Sequence, residues 1–211
     1  MSRELRKIAE CVSEYDAAGV VELVEKCLND GVPAKEILTE GLMPAMDKVG
    51  EEFKNGLLFV PEVLMASQAM MGGVDLLRPL LANDEEKKIV AVIGTVEGDL
   101  HDIGKKIVGM MLEGAGFSVI DLGIDVKPEA FVEKAKESNA VIIGMSAMLT
   151  TTMQVMRKVV DMLKAENMYD TVKVMCGGAP LTPEFAGEIG ANYSYDAPSA
   201  VDLARTLTAG L

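Results

Sequence analysis

The first 82 residues carry hydrophobic positions three or four residues apart, the spacing of one face of a helix. Short polar or glycine-containing breaks such as Asn29–Gly31 and Asn55–Gly56 separate four such stretches. The third contains Pro44, where we expect a kink because proline lacks the N–H that continues a helix. The fourth extends from about Val60 to Leu81. Four helices joined by short turns predict a small bundle.

After residue 88 the pattern changes to short apolar, β-branched runs that alternate with helical stretches. The runs predict five strands, at 89–96, 117–124, 140–147, 172–178 and 192–195. Helices are predicted between them, over 103–114, after Pro128, up to about Asn167, after Pro183 and over 200–207. Alternating strands and helices predict a parallel sheet with helices on both faces.

The charged segment NDEEKK at 83–88 predicts an exposed linker. The sequence therefore predicts two domains, a helical one over residues 1–82 and an α/β one over residues 89–211. In a parallel sheet of this kind, ligands bind beyond the carboxyl ends of the strands. Residues that follow the strands are accordingly the first candidates for a binding site.

Charge and composition limit the classes of partner. The net charge of −13 argues against binding to nucleic acid or to an anionic membrane surface. No apolar run approaches the ~20 residues that span a bilayer, and no leader pattern opens the sequence, so we expect a cytoplasmic protein. The three cysteines form no CxxC pair and are odd in number, which favours reduced thiols over a disulfide framework or a zinc site.

The chain has one histidine, His101, and it follows the first predicted strand. Asp99, His101 and Gly104 form the pattern D-x-H-x-x-G in a loop that opens a helix. A carboxylate that accepts the proton of one ring nitrogen orients the other as a metal ligand. Gly104 leaves space for a flat, bulky group to approach the backbone. A surface histidine beside a helix cap is the alternative, and so short a motif does not decide between them.

Hydroxyl and glycine residues follow the third and fourth predicted strands. GMSAMLTTT contains Ser146, Thr150 and Thr152, and CGGAP contains Gly177 and Gly178. Singly, hydroxyls cap helices and paired glycines form turns. Together with the histidine, they suit a long polar ligand inserted at the sheet edge, although they do not identify it.

The spacing of these motifs resembles the cobalamin-binding signature. After D-x-H-x-x-G, 41 residues precede Ser146, and 28 residues separate Met148 from Gly177. The signature is shared by methionine synthase, the carbon-skeleton mutases and the corrinoid proteins of methanogens and acetogens. The stretch LFVPEVLMASQAM at 58–70 resembles the helical cap of corrinoid methyltransfer proteins, so the likeness covers nearly the whole chain. One departure is Met148 where the usual S-x-L has leucine, a nearly volume-conserving exchange.

The resemblance implies a four-helix bundle as a cap and a flavodoxin-like, Rossmann-type domain with a five-stranded parallel sheet. It implies cobalamin or a related corrinoid in the base-off form, with His101 as the lower axial ligand of the cobalt. Asp99 and Thr152 would continue a proton relay behind the histidine. The other cofactor-binding residues that it implies are Asp102, Ile103, Gly104, Ser146, Met148, Thr150, Gly177 and Gly178. In the helical cap, Met65 or Met70 would contact the corrin ring, although methionines at helical spacing are usually core residues.

The resemblance further implies a carrier of methyl groups on cobalt. It would exchange them between a substrate-specific methyltransferase and a second methyltransferase that serves tetrahydrofolate or a thiol coenzyme such as coenzyme M. A reductive activating protein is a further implied partner. The alternatives are a corrinoid-binding mutase subunit, which can lack the cap, and a corrinoid-sensing regulator, for which no DNA-binding module is evident. A flavodoxin-like redox protein would leave Asp99 and His101 unexplained. The methyl donor remains open among methanol, methylamines, betaines and aromatic methyl ethers.

Overall fold

The computed structural model describes residues 3–81 and 89–210. The described residues form two compact units, a helical unit that contains residues 3–81 and an α/β unit that contains residues 89–112 and 117–210. The predicted linker at 83–88 lies outside the described residues, and the domain limits remain a prediction. Among the described residues, no helix is long and apolar enough to cross a membrane.

The helical unit follows the predicted order of helices. Its elements are α1 (Arg3–Ser13), α2 (Ala17–Asn29), α3 (Ala34–Glu36), α4 (Met43–Lys54) and α5 (Val60–Leu81).

The predicted third helix is helical throughout, but it changes its hydrogen-bond pattern on the way. A π-helical segment, Ile37–Leu42, joins α3 to α4, and the N–H of Met43 bonds to the carbonyl of Leu38, five residues back. Pro44 follows at once and has no N–H with which to continue the ladder. The irregularity that the sequence predicts at Pro44 therefore takes the form of a π-helical segment just before it.

Close packing of α2 on α5 explains a glycine inside the longest helix. A Cβ at Gly73 would lie 2.9 Å from Val20 Cγ1 and 3.2 Å from Val24 Cγ2, so any side chain there would push the helices apart. The buried side chains of this unit include Leu5, Ile8, Val12, Val20, Val24, Ile37, Leu42, Met46, Val63, Met70 and Leu77. Burial of this apolar face, rather than helix propensity, holds the bundle together.

The α/β unit contains a five-stranded, all-parallel sheet, which confirms the predicted fold class. Its strands are β1 (Val90–Thr95), β2 (Ser118–Asp121), β3 (Ile142–Ser146), β4 (Lys173–Gly177) and β5 (Asn192–Tyr193), in the order β2-β1-β3-β4-β5. The connecting helices are α6 (Ile103–Gly114), α7 (Pro128–Ser138), α8 (Val155–Ala165), α9 (Pro183–Ile189) and α10 (Ala197–Thr208).

The strand order creates a switch point between β1 and β3. From β1 the chain moves to one side for β2 and then returns to the other side for β3, so the connections diverge at this place. Thr95 pairs with Ser146, and Ser146 pairs with Gly177, so β1, β3 and β4 end level with one another. Parallel sheets bind ligands at such a point. The register therefore brings all three sequence motifs to one edge.

One helix begins where local capping dictates rather than where the hydrophobic pattern starts. The prediction for the last helix began at residue 200, but α10 begins at Ala197, because Asp196 and Ser199 form a capping box ahead of it. The helix after β3 begins at Val155, and a turn spans the residues before it.

Candidate functional site

The loop between β1 and α6 presents an oriented histidine. Asp99 is fully buried, whereas 57% of the His101 side chain is exposed. Asp99 Oδ1 accepts the backbone N–H of His101 at 3.1 Å and lies 2.7 Å from the ring Nδ1. An ionised carboxylate has only acceptors, so Nδ1 is assigned the ring proton and Nε2 retains its lone pair.

The second oxygen of Asp99 is held by the turn after β3. Asp99 Oδ2 accepts the N–H of Met148 at 2.7 Å and lies 2.8 Å from the hydroxyl oxygen of Thr152. That hydroxyl also lies 3.0 Å from the carbonyl oxygen of Leu149, which competes for its single proton. The structure thus brings together Asp99, His101 and Thr152, as the sequence predicts. The proton relay that the resemblance implies through them is not tested by this geometry.

Burial and hydrogen bonding act in opposite directions on Asp99. Burial raises the pKa of this carboxyl group, but the hydrogen bonds from Met148, His101 and Thr152 together outweigh it and hold the pKa well below its usual range. Asp99 is therefore ionised at neutral pH. The charge keeps the Nδ1 proton in place and leaves Nε2 as the donor atom.

Thr95, at the end of β1, fixes the main chain of His101. Its side chain is fully buried, and its hydroxyl donates to the carbonyl oxygen of His101 at 2.8 Å. Sequence reasoning missed this residue. The available signal was one hydroxyl at the last position of an otherwise aliphatic buried strand.

The loop after β2 also binds the histidine loop. The N–H of Gly98 donates to Asp125 Oδ1 at 2.7 Å, and the N–H of Asp125 donates to the carbonyl oxygen of Asp99 at 3.1 Å. Asp125 was not among the predicted site residues, because 27 residues of sequence separate it from Gly98.

The start of α6 is anchored by two ion pairs. Asp102 precedes the helix and pairs with Lys106, one turn on, and this pairing lowers the pKa of Asp102. Lys105 is 4% exposed and binds both carboxylate oxygens of Asp121, at the end of β2. Asp121 Oδ1 also accepts the N–H of Gly123 at 2.8 Å. Lys105 and Asp121 were missed, because a lysine in a helix and an aspartate after a strand predict solvated side chains.

Apolar side chains next to His101 in the sequence, and in the turn whose Met148 N–H binds Asp99, are not buried. Leu100 and Ile103 are 69% and 67% exposed, and Met148 and Leu149 are 42% and 43% exposed. Gly104 follows Ile103 in the chain. Its backbone conformation does not require glycine, and a Cβ there would meet nothing within 4 Å. Exposed hydrophobic side chains next to open space form a surface suited to a large, flat, mainly apolar ligand.

Ser146 and Thr150 retain unused hydroxyls. Ser146 is half-buried at the end of β3, and Thr150 is exposed in the following turn. Among the residues that the structure describes, neither hydroxyl has a hydrogen-bond partner. Both are therefore free to bind polar groups of a ligand.

The fold itself leaves little room for a side chain at Gly177 and none at Gly178. A Cβ at Gly177 would lie 3.0 Å from the carbonyl oxygen of Ser194. Gly178 has φ +134°, and a Cβ there would lie 1.9 Å from the carbonyl oxygen of Ala147. The sequence interpretation assigned these glycines to an open groove for a ligand. In the structure the space beside Gly178 is filled by the chain after β3, and the glycines permit that close approach.

The two methionines predicted to contact a ligand differ in exposure. Met65 is 42% exposed on α5, and it remains a candidate. Met70 is 1% exposed within the helical unit, so its side chain belongs to the core, and the expectation of a ligand contact is corrected for it. Methionine spacing along the helix could not distinguish these two roles.

The geometry fits a metal that arrives with most of its own ligands. Among residues 3–81 and 89–210, no group of three or more His, Cys, Asp or Glu side chains could hold a metal ion. A bare ion such as zinc takes three or four protein ligands, whereas the metal of a macrocycle needs an axial ligand only. Cys176 does not offer a thiolate as a second metal ligand, because burial raises the pKa of its thiol to about 12. His101 beside an apolar rim therefore fits a corrinoid.

Comparison with known proteins agrees with this chemistry. A family model described as a B12 binding domain matches residues 89–201, and a second model of that description matches residues 4–78. Dimethylamine corrinoid protein 3 of Methanosarcina acetivorans is 48% identical over 205 residues, which are 96% of this chain and 96% of that protein.

Two solved structures resemble the chain over nearly its whole length. A cobalamin-binding protein from Desulfitobacterium hafniense is 36% identical with a TM-score of 0.79, covering 97% of this chain and 98% of that one. A methanol:cobalamin methyltransferase complex from Methanosarcina barkeri contains a match at 28% identity and a TM-score of 0.89, covering 100% of this chain and 81% of that one.

The fold, the oriented histidine and these matches define a corrinoid-binding protein. The chain belongs to the B12-binding family, as the signature in its sequence predicts.

Proposed function

We propose that the chain carries a methyl group on the cobalt of a bound corrinoid and delivers it between two methyltransferases. The observation that carries the proposal is the single imidazole, which a buried carboxylate holds at Nδ1, so that Nε2 keeps its lone pair on a side chain that is 57% exposed. A bound corrinoid supplies a cobalt that can accept and release a methyl group. The chain supplies the axial ligand and the surface that holds the macrocycle.

In this proposal the residues around the imidazole have different roles. His101 would hold the cobalt through Nε2. Asp99 holds the Nδ1 proton and stabilises any positive charge that the ring gains on ligation. The Met148 N–H and the Thr152 hydroxyl keep the carboxylate in place. Because Asp99 is fully buried, water has little access to the carboxylate that holds the ring proton.

The rest of the ligand would be held by the apolar rim and by the unused hydroxyls. Leu100, Ile103 and the open space at Gly104 suit the edge of a macrocycle. Ser146 and Thr150 are polar and lack partners among the described residues, so they suit the nucleotide tail of a base-off corrinoid. From the helical unit, Met65 is exposed and is the remaining candidate for a contact with the ring.

We propose a methylated amine as the source of the methyl group. The relative at 48% identity is named for dimethylamine, and its match extends over both the helical and the α/β units. This full-length likeness favours a carrier over a mutase subunit or a regulator. The first partner would be a methyltransferase specific for that amine, in line with the methanol:cobalamin methyltransferase complex that contains a structural match.

We assign three further features to this function. A second methyltransferase would pass the methyl group to tetrahydrofolate or to a thiol coenzyme such as coenzyme M. A reductive activating protein would restore cobalt that has become oxidised. The three free cysteines, Cys11, Cys27 and Cys176, favour the reducing cytoplasm as the place of action.

The proposal is tested by reconstituting the purified protein with hydroxocobalamin. The visible spectrum should report an imidazole-ligated cobalt, and His101→Ala should lose that signature while it retains part of the corrinoid through the tail. Thr151→Ala is the matched control, because Thr151 is exposed in the turn after β3 and its side chain has no hydrogen bond among the described residues. An unchanged spectrum in His101→Ala would contradict the assignment.

The methyl donor is tested with the reconstituted protein and separate amine methyltransferases. With dimethylamine and its methyltransferase, we expect the spectrum of the methylated corrinoid to appear. Monomethylamine, trimethylamine and methanol, each with its own methyltransferase, are the comparisons. Faster methylation from methanol than from any amine would contradict the choice of substrate class without affecting the carrier role.

A further inference from the structure

One residue, Asp125, binds two consecutive residues of the histidine loop. Its carboxylate accepts the N–H of Gly98 at 2.7 Å, and its own N–H donates to the carbonyl oxygen of Asp99 at 3.1 Å. We propose that Asp125 is a positioning residue, which fixes the main chain of Asp99 so that the Asp99 carboxylate can orient His101. The inference rests on the proposed function in so far as His101 is taken as the cobalt ligand.

The two loops are already aligned at their bases. The N–H of Thr95 donates to the carbonyl oxygen of Gly123 at 3.0 Å, and the N–H of Val126 donates to the carbonyl oxygen of Thr95 at 3.0 Å. Val96 and Val126 form an isolated parallel bridge just beyond. Asp125 extends this pairing to Gly98 and Asp99, where neither loop has a strand to support it.

The backbone on both sides of this contact is left-handed. Asp125 has φ +54°, a conformation that non-glycine residues seldom adopt and that aspartate and asparagine tolerate best. Gly98 has φ +84°, and a Cβ there would lie 3.4 Å from Thr152 Cγ2. The Gly98 N–H points at Asp125 because of this turn. An alanine at 125 would lose the acceptor and retain an unfavourable φ.

The contact matters for the ligand because Asp99 is fixed at both ends. Its carboxylate is held by Met148 and Thr152 of the turn after β3, and its carbonyl is held by Asp125 of the loop after β2. His101 donates two hydrogen bonds to a single oxygen of that carboxylate, one from its backbone N–H and one from the ring Nδ1–H. If the main chain of Asp99 turns, that oxygen cannot satisfy both bonds of His101.

The experiment compares Asp125→Asn, Asp125→Ala and Asp125→Gly with the parent protein. Asparagine retains an acceptor oxygen and tolerates the left-handed backbone, so it is the conservative rescue. Glycine removes the acceptor and also removes the conformational penalty, which separates the hydrogen bond from backbone strain. Unfolding by urea confirms that each variant is folded before it is compared.

The first measurement uses the protein without corrinoid. The chain has one histidine, so the ¹⁵N signals of its ring are unambiguous and report which nitrogen carries the proton. In mildly alkaline buffer we expect the Nδ1–H form in the parent and in Asp125→Asn. We expect a mixture of both tautomers in Asp125→Ala and Asp125→Gly.

The second measurement uses hydroxocobalamin. We expect the dissociation constant to rise about 10-fold in the alanine and glycine variants, at the low end of the effects of residues that orient a metal ligand, because the Gly98 contact is exposed. The proposal would be overturned if Asp125→Ala, or Asp125→Gly alone, had the tautomer and the dissociation constant of the parent. It would also be overturned if Asp125→Asn had the same altered tautomer and dissociation constant as the alanine variant. If the parent takes up no corrinoid, the proposed function fails, whereas the tautomer comparison still decides the role of Asp125.

Discussion

Two turns at the carboxyl edge of the sheet each contain a glycine of the same signature. After β4, Gly178 has a left-handed backbone, and the carbonyl of Ala147 occupies the place where its Cβ would be. At the start of α6, Gly104 has an ordinary helical position, and a Cβ there would meet nothing within 4 Å. The fold alone explains Gly178. For Gly104 the described residues give no internal reason, and the proposed function supplies one, the close approach of a ligand.

The difference teaches that a glycine in a binding signature does not by itself indicate contact with the ligand. Gly178 shapes the site indirectly, by letting the chain after β3 approach β4. Gly104 would act directly in the proposed site, by leaving space. Substitutions that add the same methyl group to each position should therefore act on different quantities, stability at one and binding at the other.

Gly178→Ala should have the largest effect, and it should fall on the fold. A disfavoured backbone region and an overpacked site each cost about 1–3 kcal/mol. We therefore expect the free energy of unfolding to decrease by about 2–6 kcal/mol, measured by urea titration without corrinoid. Gly187→Ala in α9 is the control, because a Cβ there meets nothing within 4 Å. Equal stabilities of the two variants would show that the turn after β4 adapts, and the comparison would lose its basis.

The next test concerns the ion pair between Lys105 and Asp121, which anchors the first turn of α6, where Gly104 lies. Asp121→Ala leaves the Lys105 ammonium unpaired at 4% exposure, and we expect a loss of about 2–3 kcal/mol, below the usual cost of breaking a buried pair because Asp121 is partly exposed. Lys105→Met retains the apolar stem and leaves Asp121 bonded to Gly123, so a loss of about 1 kcal/mol or less is expected. Unfolding titrations of both variants measure the asymmetry. A larger loss in Lys105→Met would mean that the carboxylate, not the ammonium, depends on the pair.

Sequence reasoning succeeded where the relevant partners are close in the chain or repeat with a strand. The pairing of Asp99 with His101 spans two residues, and the apolar runs fix the five strands and thus the edge at which the motifs meet. It did not identify Asp125 or Lys105, because their partners lie 27 and 16 residues away and depend on how β1 and α6 align with β2. It also missed Thr95, because a hydroxyl at the end of a buried strand does not reveal that it bonds to the main chain of His101, six residues on.

Burial was the second quantity that the pattern of residues could not provide. Met65 and Met70 have the same chemistry and lie on one helix, yet one is exposed and the other is in the core. The role of Gly178 was likewise hidden, since it depends on the alignment of Ser146 with Gly177 across two strands.

Asp99→Asn tests whether His101 depends on the negative charge of Asp99, because asparagine has the same shape but no charge. One end of an asparagine amide is a donor. If the amide nitrogen faces His101, the ring must accept at Nδ1 and place its proton on Nε2, which would remove the lone pair that the proposed cobalt ligation uses. If the amide nitrogen faces Met148 instead, its N–H points at the Met148 N–H, and two donors meet without an acceptor. Either way we expect hydroxocobalamin affinity to decrease about 10- to 100-fold, measured by absorbance titration, with the ring ¹⁵N signals reporting the tautomer. Parent-like affinity together with a parent-like tautomer would mean that Asp99 is a loop residue only.

Gly104→Ala should produce the smallest change, and its sign distinguishes the two glycines. At the second position of α6 an alanine lowers the entropy of the unfolded chain and meets no atom, so the protein without corrinoid should be stabilised by about 0.5 kcal/mol. Hydroxocobalamin affinity should fall in the same variant, and fall further in Gly104→Leu, because a larger side chain fills more of the open space beside Leu100 and Ile103. Thermal unfolding without corrinoid measures the stability, and absorbance titration with hydroxocobalamin measures the affinity, both on one preparation. A variant that gains stability and loses affinity identifies a position kept open for a ligand. Unchanged affinity in Gly104→Leu would place the corrinoid elsewhere along this edge.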